Sequence, residues 1–193
     1  MSPPRSSLCE EERRTLLELA RQAILESVCK DRIPETLAAH GALAEPRGAF
    51  VSLHVSGELR GCIGQVSPKE SLAETVVQCA ILAAQKDPRF PSIRPDEVPQ
   101  LDIEISLLSE PVPVNPEEIE VGRHGLLVAT SGRRGLLLPQ VATERSWDRW
   151  RFLEETCRKA DLPLDAWKDP AVQVHAFTAE VFSDADLRAR HMP

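Results

Sequence analysis

Between about residues 10 and 30, apolar residues recur as Leu16/Leu17, Leu19/Ala20, Ala23/Ile24 and Ser27/Val28 on an otherwise charged segment. Spacings of three and four gather them into one stripe, which predicts a helix packed by a single face. Pro34 is suited to start a short second helix through Ala39, with Gly41 placed to end it. Residues 49–55 and 58–66 are two strand-like runs around Ser56-Gly57, and this pattern predicts a β-hairpin. Ser71 with Glu74 three residues on forms a capping-box pattern ahead of 72–85, a stretch apolar on most sides and therefore read as a buried helix. Pro88 stops it, and the prolines at 88, 91, 95 and 99 predict irregular chain until Leu101.

From Leu101 the pattern changes period. Leu101, Ile103, Ile105 and Leu107 alternate with Asp102, Glu104 and Ser106, as in a half-buried strand. An acidic, proline-spaced connection covers 110–120, and strands at 125–129 and 134–138 flank Ser131-Gly132 as a second hairpin that Pro139 ends. A helix is predicted from near Ser146, where Trp147, Trp150, Leu153, Cys157 and Ala160 share a stripe that assigns the tryptophans to the core. Residues 171–182 read as one last strand, with Val172, Val174, Ala176 and Val181 as candidates for burial. Hairpins interrupted by helices, without a repeated βα rhythm, predict an α+β fold with a mainly antiparallel sheet and flanking helices.

The first hairpin is the place where chemistry is expected. Requiring one apolar sheet face favours a three-residue loop, Ser56-Gly57-Glu58, which puts Val55 opposite Leu59, Leu53 opposite Gly61 and Val51 opposite Ile63. The other face then collects Ser52, His54, Arg60 and Cys62, with His54 across from Arg60 and Ser52 across from Cys62. A two-residue loop would carry the charged Arg60 onto the apolar face. Gly61 and Gly64 flank Cys62 and Ile63, and glycine inside a strand marks a bulge or a close approach by backbone or ligand. Arg60 beside Cys62 would favour the thiolate that serves as nucleophile or redox centre. The competing reading makes Cys62 an ordinary small hydrophobe.

Composition narrows the classes. The 193 residues are 42% hydrophobic and 27% charged, which excludes a disordered, collagenous or coiled-coil chain. No apolar run approaches the ~18 residues of a membrane span, and the first residues lack the apolar block of a secretory signal. The expectation is a cytoplasmic protein with no membrane partner. Its five cysteines form no C-x-x-C pair and its five histidines show no ligand spacing, so reduced thiols and no dedicated metal site are expected. A formal charge of -7 argues against a surface that grips phosphate backbones throughout, and leaves room for local basic patches, for example around Arg133-Arg134 and Arg145, Arg149 and Arg151.

Several segments, in order, carry a resemblance: Leu59-Arg60-Gly61-Cys62-Ile63-Gly64, Asp87-Pro88-Arg89-Phe90-Pro91, Ile103-Glu104-Ile105-Ser106, the stretch 135–142 (GLLLPQVA) and Ala179-Glu180-Val181-Phe182. Together they resemble the AMMECR-one domain family, known in bacteria and archaea as AmmeMemoRadiSam system protein A. The resemblance runs from about residue 10 to 183, with 1–9 and 184–193 as terminal extensions. It implies a single α+β domain of two unequal lobes around a cleft. It also implies a place beside a Memo-type protein resembling extradiol dioxygenases and a radical S-adenosylmethionine enzyme. Lacking C-x-x-x-C-x-x-C, this chain would be the third component.

Within the matching segments, Cys62, Arg60 and Glu104 are the catalytic candidates, and Gly61, Gly64, Arg89 and Gln140 the ligand-binding ones; the family motif does not specify His54. Glu104 shares a face with Asp102 and Ser106 and could pair with Arg60 if their strands are adjacent. Arg89 is a forked cation on a proline-braced loop, suited to a carboxylate or phosphate, while Gln140 follows a strand-breaking Pro139 and could extend its amide into the cleft. The plainer reading of the loop has Phe90 anchored in the core and Asp87 capping a turn. The expected role is an accessory or catalytic component of a modification pathway acting on a small molecule, peptide or nucleic acid. The alternatives are a non-catalytic adaptor and an RNA- or DNA-binding protein. No cofactor is assigned.

Overall fold

The computed structural model describes residues 7–32 and 39–189. In chain order it contains α1 (Glu10–Cys29), β1 (Ala49–Val55), β2 (Glu58–Gln65), α2 (Leu72–Gln85), β3 (Leu101–Leu108) and β4 (Val112–Pro113). There follow β5 (Gly125–Ala129), β6 (Arg134–Leu137), α3 (Pro139–Glu144), α4 (Arg149–Lys159), β7 (Gln173–Phe177), β8 (Ala179–Ser183) and α5 (Asp184–Ala189). The short helix expected over 34–39 falls outside the described residues except at Ala39, which is not helical. Gly41, with φ +59, opens a 3₁₀ turn over Gly41–Ala44 instead of closing a helix. The chain is an α+β protein, as the pattern predicts, and its antiparallel strands form two four-stranded sheets.

The chain divides into two compact units, one of Met1–Leu107 with Glu180–Pro193 and one of Leu108–Ala179. In the first, the strands run β2-β1-β3-β8. Alternation puts Val51, Leu53, Ile103, Ile105 and Leu107 on one face, where they meet Leu16, Leu17, Ala20 and Ile24 of α1 and Val76, Ala80 and Ala83 of α2. Ser71 caps α2 as the sequence indicates, its hydroxyl accepting from the Glu74 amide while the Glu74 carboxylate accepts from the Ser71 amide. The proline-rich segment after α2 is irregular except for one 3₁₀ turn, Val98–Gln100, which tolerates Pro99 near its start.

The register of the first hairpin is partly as expected. Val51 faces Ile63, Ser52 faces Cys62 and Leu53 faces Gly61, but beyond these His54 faces Leu59 and Val55 faces Glu58. The loop is thus the two-residue turn Ser56-Gly57, with φ +52 and +84, the geometry that suits the twist of a hairpin. A bulge between Leu53 and His54 absorbs Arg60 as the extra residue of β2. Arg60 therefore stays off the apolar face even with the short loop, and His54 does not lie across from it.

In the second unit the strands run β4-β7-β5-β6. Leu126 and Ala176 pack with Ile119, Ala142, Phe152 and Leu153. Three expectations need correction. The helix predicted from Ser146 starts at Arg149, capped by Asp148, because Ser146 has φ +53 and turns the chain between α3 and α4. Trp150 is 41% exposed and stacks on Trp167 with ring centroids 5.4 Å apart; Phe152, one of the residues off the expected stripe, fills the core instead. The last strand is two strands in two different sheets, parted at Thr178, and this break leaves Val181 exposed while Phe182 is buried. The acidic connection also contains β4 and a 3₁₀ turn, Pro116–Glu118, elements too short for a periodic signal.

Candidate functional site

One row of the first sheet carries the candidate chemistry. Cys62 on β2, Ser52 on β1 and Glu104 on β3 are register partners in that order, so β1 lies between the strands of Cys62 and Glu104. The Ser52 hydroxyl donates to Cys62 Sγ at 3.2 Å. Ser52 is buried and Cys62 half-buried. All three side chains project from the face opposite the apolar one, because Val51, Leu53, Ile63, Ile103 and Ile105 occupy the alternate positions.

Because β2 is an edge strand, its outward backbone groups need partners other than a neighbouring strand. At Cys62 two side chains of the loop after α2 serve. Asp87 Oδ2 accepts from the Cys62 amide at 2.8 Å, and Arg89 Nη2 donates to the Cys62 carbonyl at 3.1 Å. The two are joined to each other, Arg89 Nη2 to Asp87 Oδ2 at 2.7 Å and Arg89 Nε to Asp87 Oδ1 at 3.0 Å. Asp87 is 5% exposed, whereas the Arg89 side chain is 56% exposed. Asp87 also accepts from the Arg89 amide, the turn-capping role read from the sequence, but Phe90 is only partly buried, with Arg89 over its ring at 5.3 Å.

Arg60 is held elsewhere. Its Nε and Nη2 grip the two oxygens of Glu97 at 3.0 and 3.1 Å, and Nη1 donates to the Pro91 carbonyl. The pairing with Glu104 that adjacent strands would have allowed is absent, since β1 separates them. Arg60 thereby pins the proline-rich segment to the bulge. The cation that acts on the Cys62 sulfur is Arg89.

Electrostatics follow this layout. Burial pushes the Cys62 thiol up from its ordinary value; the Ser52 hydrogen bond and the Arg89 cation oppose this, and the Asp87 charge adds to it. The Arg89 guanidinium holds the Asp87 carboxyl well below the usual carboxylate range, helped by the amides of Cys62 and Arg89 against the cost of burial. Burial pushes Cys79 up to about 12 and also raises Cys157. In the folded protein, alkylation at pH 7 to 8 should therefore be fast at the exposed Cys9 and Cys29, slower at Cys62 and absent at Cys79 and Cys157. Ser52→Ala removes an influence that lowers the Cys62 pKa, so its alkylation profile should move to higher pH. Site-resolved mass spectrometry across pH 6 to 10 checks both, and a Cys62 profile centred below the ordinary thiol value of ~8.5 would contradict the assigned balance.

The glycines beside the thiol make close approaches to the chain itself. A Cβ on Gly61 would lie 2.2 Å from the Ala83 carbonyl oxygen of α2, and one on Gly64 would lie 2.2 Å from Cγ of Phe50. Gln140 belongs to the second unit, in the first turn of α3, where its carbonyl accepts from the Thr143 hydroxyl. Asp87, Ser52 and Glu97 were absent from the candidates read from the sequence. For Asp87 the available signal was an acid and an arginine flanking a proline, which becomes informative only once β2 is known to be an edge. Among the described residues, no group of three or more His, Cys, Asp or Glu side chains is placed to hold a metal ion, and no helix is long and apolar enough to cross a membrane.

Comparison with known proteins places this geometry. An uncharacterised protein from Pyrococcus horikoshii has a crystal structure that superposes with a TM-score of 0.85 at 39% identity, covering 91% of this chain and 93% of that one. A protein from Methanothermobacter thermautotrophicus is 42% identical over 187 residues, 92% of this chain and 96% of its own length. A third, from Methanopyrus kandleri, is 43% identical over 186 residues, 91% of this chain and 90% of its own. The AMMECR1 family model matches residues 17–182, and the chain belongs to that family.

Proposed function

We propose that the chain is an accessory component of a modification pathway, with Memo-type and radical S-adenosylmethionine proteins as the other components. In this reading it offers the Cys62, Ser52 and Glu104 face of the first sheet to a substrate or partner. The observation that carries the accessory role is the setting of Cys62, half-buried on a strand whose amide and carbonyl are held by Asp87 and Arg89; burial disfavours its thiolate and suits a shaping or hydrogen-bonding group better than a standing nucleophile. The surrounding strand is held at its backbone by Asp87 and Arg89 and through Arg60 by Glu97, which supports a preorganised contact surface. A catalytic reading, with Cys62 as nucleophile and Arg60 and Glu104 assisting, draws support from the Ser52 hydrogen bond, because that contact stabilises a thiolate.

Co-purification of the tagged chain with a Memo-type protein from the same genome separates the two. Retention by Cys62→Ser and at least tenfold weaker retention by Glu104→Lys, with both variants folded, is the result expected of the accessory role. Full retention by Glu104→Lys would overturn the contact face. A covalent adduct trapped on Cys62 during turnover would transfer the assignment to the catalytic reading.

A further inference from the structure

One cation at the edge of the first sheet has donors to spare. A guanidinium carries five N–H groups, and Arg89 uses three of them: Nε and Nη2 on the two Asp87 oxygens, and Nη2 again on the Cys62 carbonyl. The two on Nη1 meet no acceptor among the described residues. The fork is nevertheless fixed, by a carboxylate that is itself buried and by the Phe90 ring, whose centroid lies 5.3 Å from the guanidinium carbon. A cation already held in one orientation loses little freedom when its remaining donors take an anion.

The charges around Cys62 balance in favour of an anion at this edge. Asp87 bears the opposite charge, but its oxygens are filled by the Cys62 and Arg89 amides and by the guanidinium, and at the Cys62 sulfur the Arg89 cation outweighs it. Arg60 is spent on Glu97, and Arg94 on Asp96. Glu104 stands two strands from Cys62, about 10 Å at the usual strand spacing, and Asp102 lies further along β3 opposite His54. These two acids repel an anion from the middle of the sheet and leave the β2 edge as its approach.

We propose that Arg89 recognises a carboxylate: a small carboxylic acid docks on Nη1 at the β2 edge, beside the Cys62 thiol. The assignment rests on the reading of the Cys62 face as a contact face and gives the small molecule met there its chemical class.

Two alkylating reagents of nearly the same size, iodoacetate and iodoacetamide, test this in the full chain, with site-resolved mass spectrometry giving each rate. In both, the sulfur displaces iodide from the carbon next to the carboxyl or amide group, so their ratio cancels the ionisation of the thiol. The ratio of iodoacetate to iodoacetamide rates at Cys62 should exceed that at the exposed Cys29 by roughly tenfold, the low end of electrostatic steering. Arg89→Gln should bring it down to the Cys29 value, while Arg89→Lys, which retains the charge, should keep part of the excess. Propionate, and not propionamide, should protect Cys62 from iodoacetamide saturably. Equal ratios at Cys62 and Cys29, an excess unchanged in Arg89→Gln, protection by neither compound or by both alike, or a Cys62 inert to both reagents would each overturn the proposal. Because no partner protein takes part, those results leave the co-purification test of the contact face intact, and full retention by Glu104→Lys leaves these ratios unmoved.

Discussion

Replacing Asp87 by alanine is expected to destabilise the first unit by about 2 kcal/mol, the scale for leaving a buried hydrogen-bond donor without its acceptor; the half-exposed Arg89 guanidinium can turn to water and adds little. Three groups lose their acceptor together: the outward amide of Cys62, the Arg89 amide and the Arg89 guanidinium. The tryptophans, at 147, 150 and 167, all lie in the second unit, so their fluorescence reports that unit, while amide exchange at 61–64 reports the first. Urea unfolding by circular dichroism with exchange at the Cys62 amide should show the loss, and full protection at Cys62 in the variant would refute the arrangement. The pH dependence has a definite sign. Because the folded-state pKa lies below the unfolded ~3.9, the stability from ionised Asp87 is present above about pH 4 and is lost as pH falls toward the folded value. The stability gap between wild type and Asp87→Asn should accordingly narrow in acid and hold steady between pH 6 and 8.

Gly61→Val should be comparably damaging, at about 3 kcal/mol, because the added Cβ meets the backbone of α2 and the helix must move as a body. The obstructing atom is Cβ itself, so Gly61→Ala carries most of the effect. At Gly64 the obstruction is the Phe50 ring, a side chain that can rotate away, and Gly64→Ala should cost less than Gly61→Ala. Thermal melts of the two alanine variants decide the order; a Gly61→Ala protein that melts with the wild type would remove the close approach of α2 from the account.

The elements with sustained periods were legible in the sequence: α1 and α2 from their stripes, β1 to β3 and β5 to β6 from alternation and turn residues. Cys62 opposite Ser52 followed from the demand for one apolar face. The hairpin tip did not, because a bulge and a shorter loop satisfy the same demand, and only backbone twist chooses between them. Thr178 shows a second limit. Nothing in the alternation of 171–182 distinguishes one long strand from two short ones that leave a sheet and join another. The partners of Arg60 and Cys62, Glu97 and Asp87, lie 37 and 25 residues away along an irregular segment whose course no local pattern specifies.

The break at Thr178 has a counterpart at Ser109. The Ser109 amide donates to the Thr178 carbonyl and the Thr178 amide to the Ser109 hydroxyl, both at 2.9 Å, so the two crossing points of the chain lie side by side. The second unit is in this sense a loop spliced between β3 and β8 of the first. Vectorial synthesis then imposes an order: β8 leaves the ribosome only after every residue of the inserted unit. The first sheet, begun earliest, is completed last, and a nascent chain halted before residue 179 would display β3 as a temporary open edge.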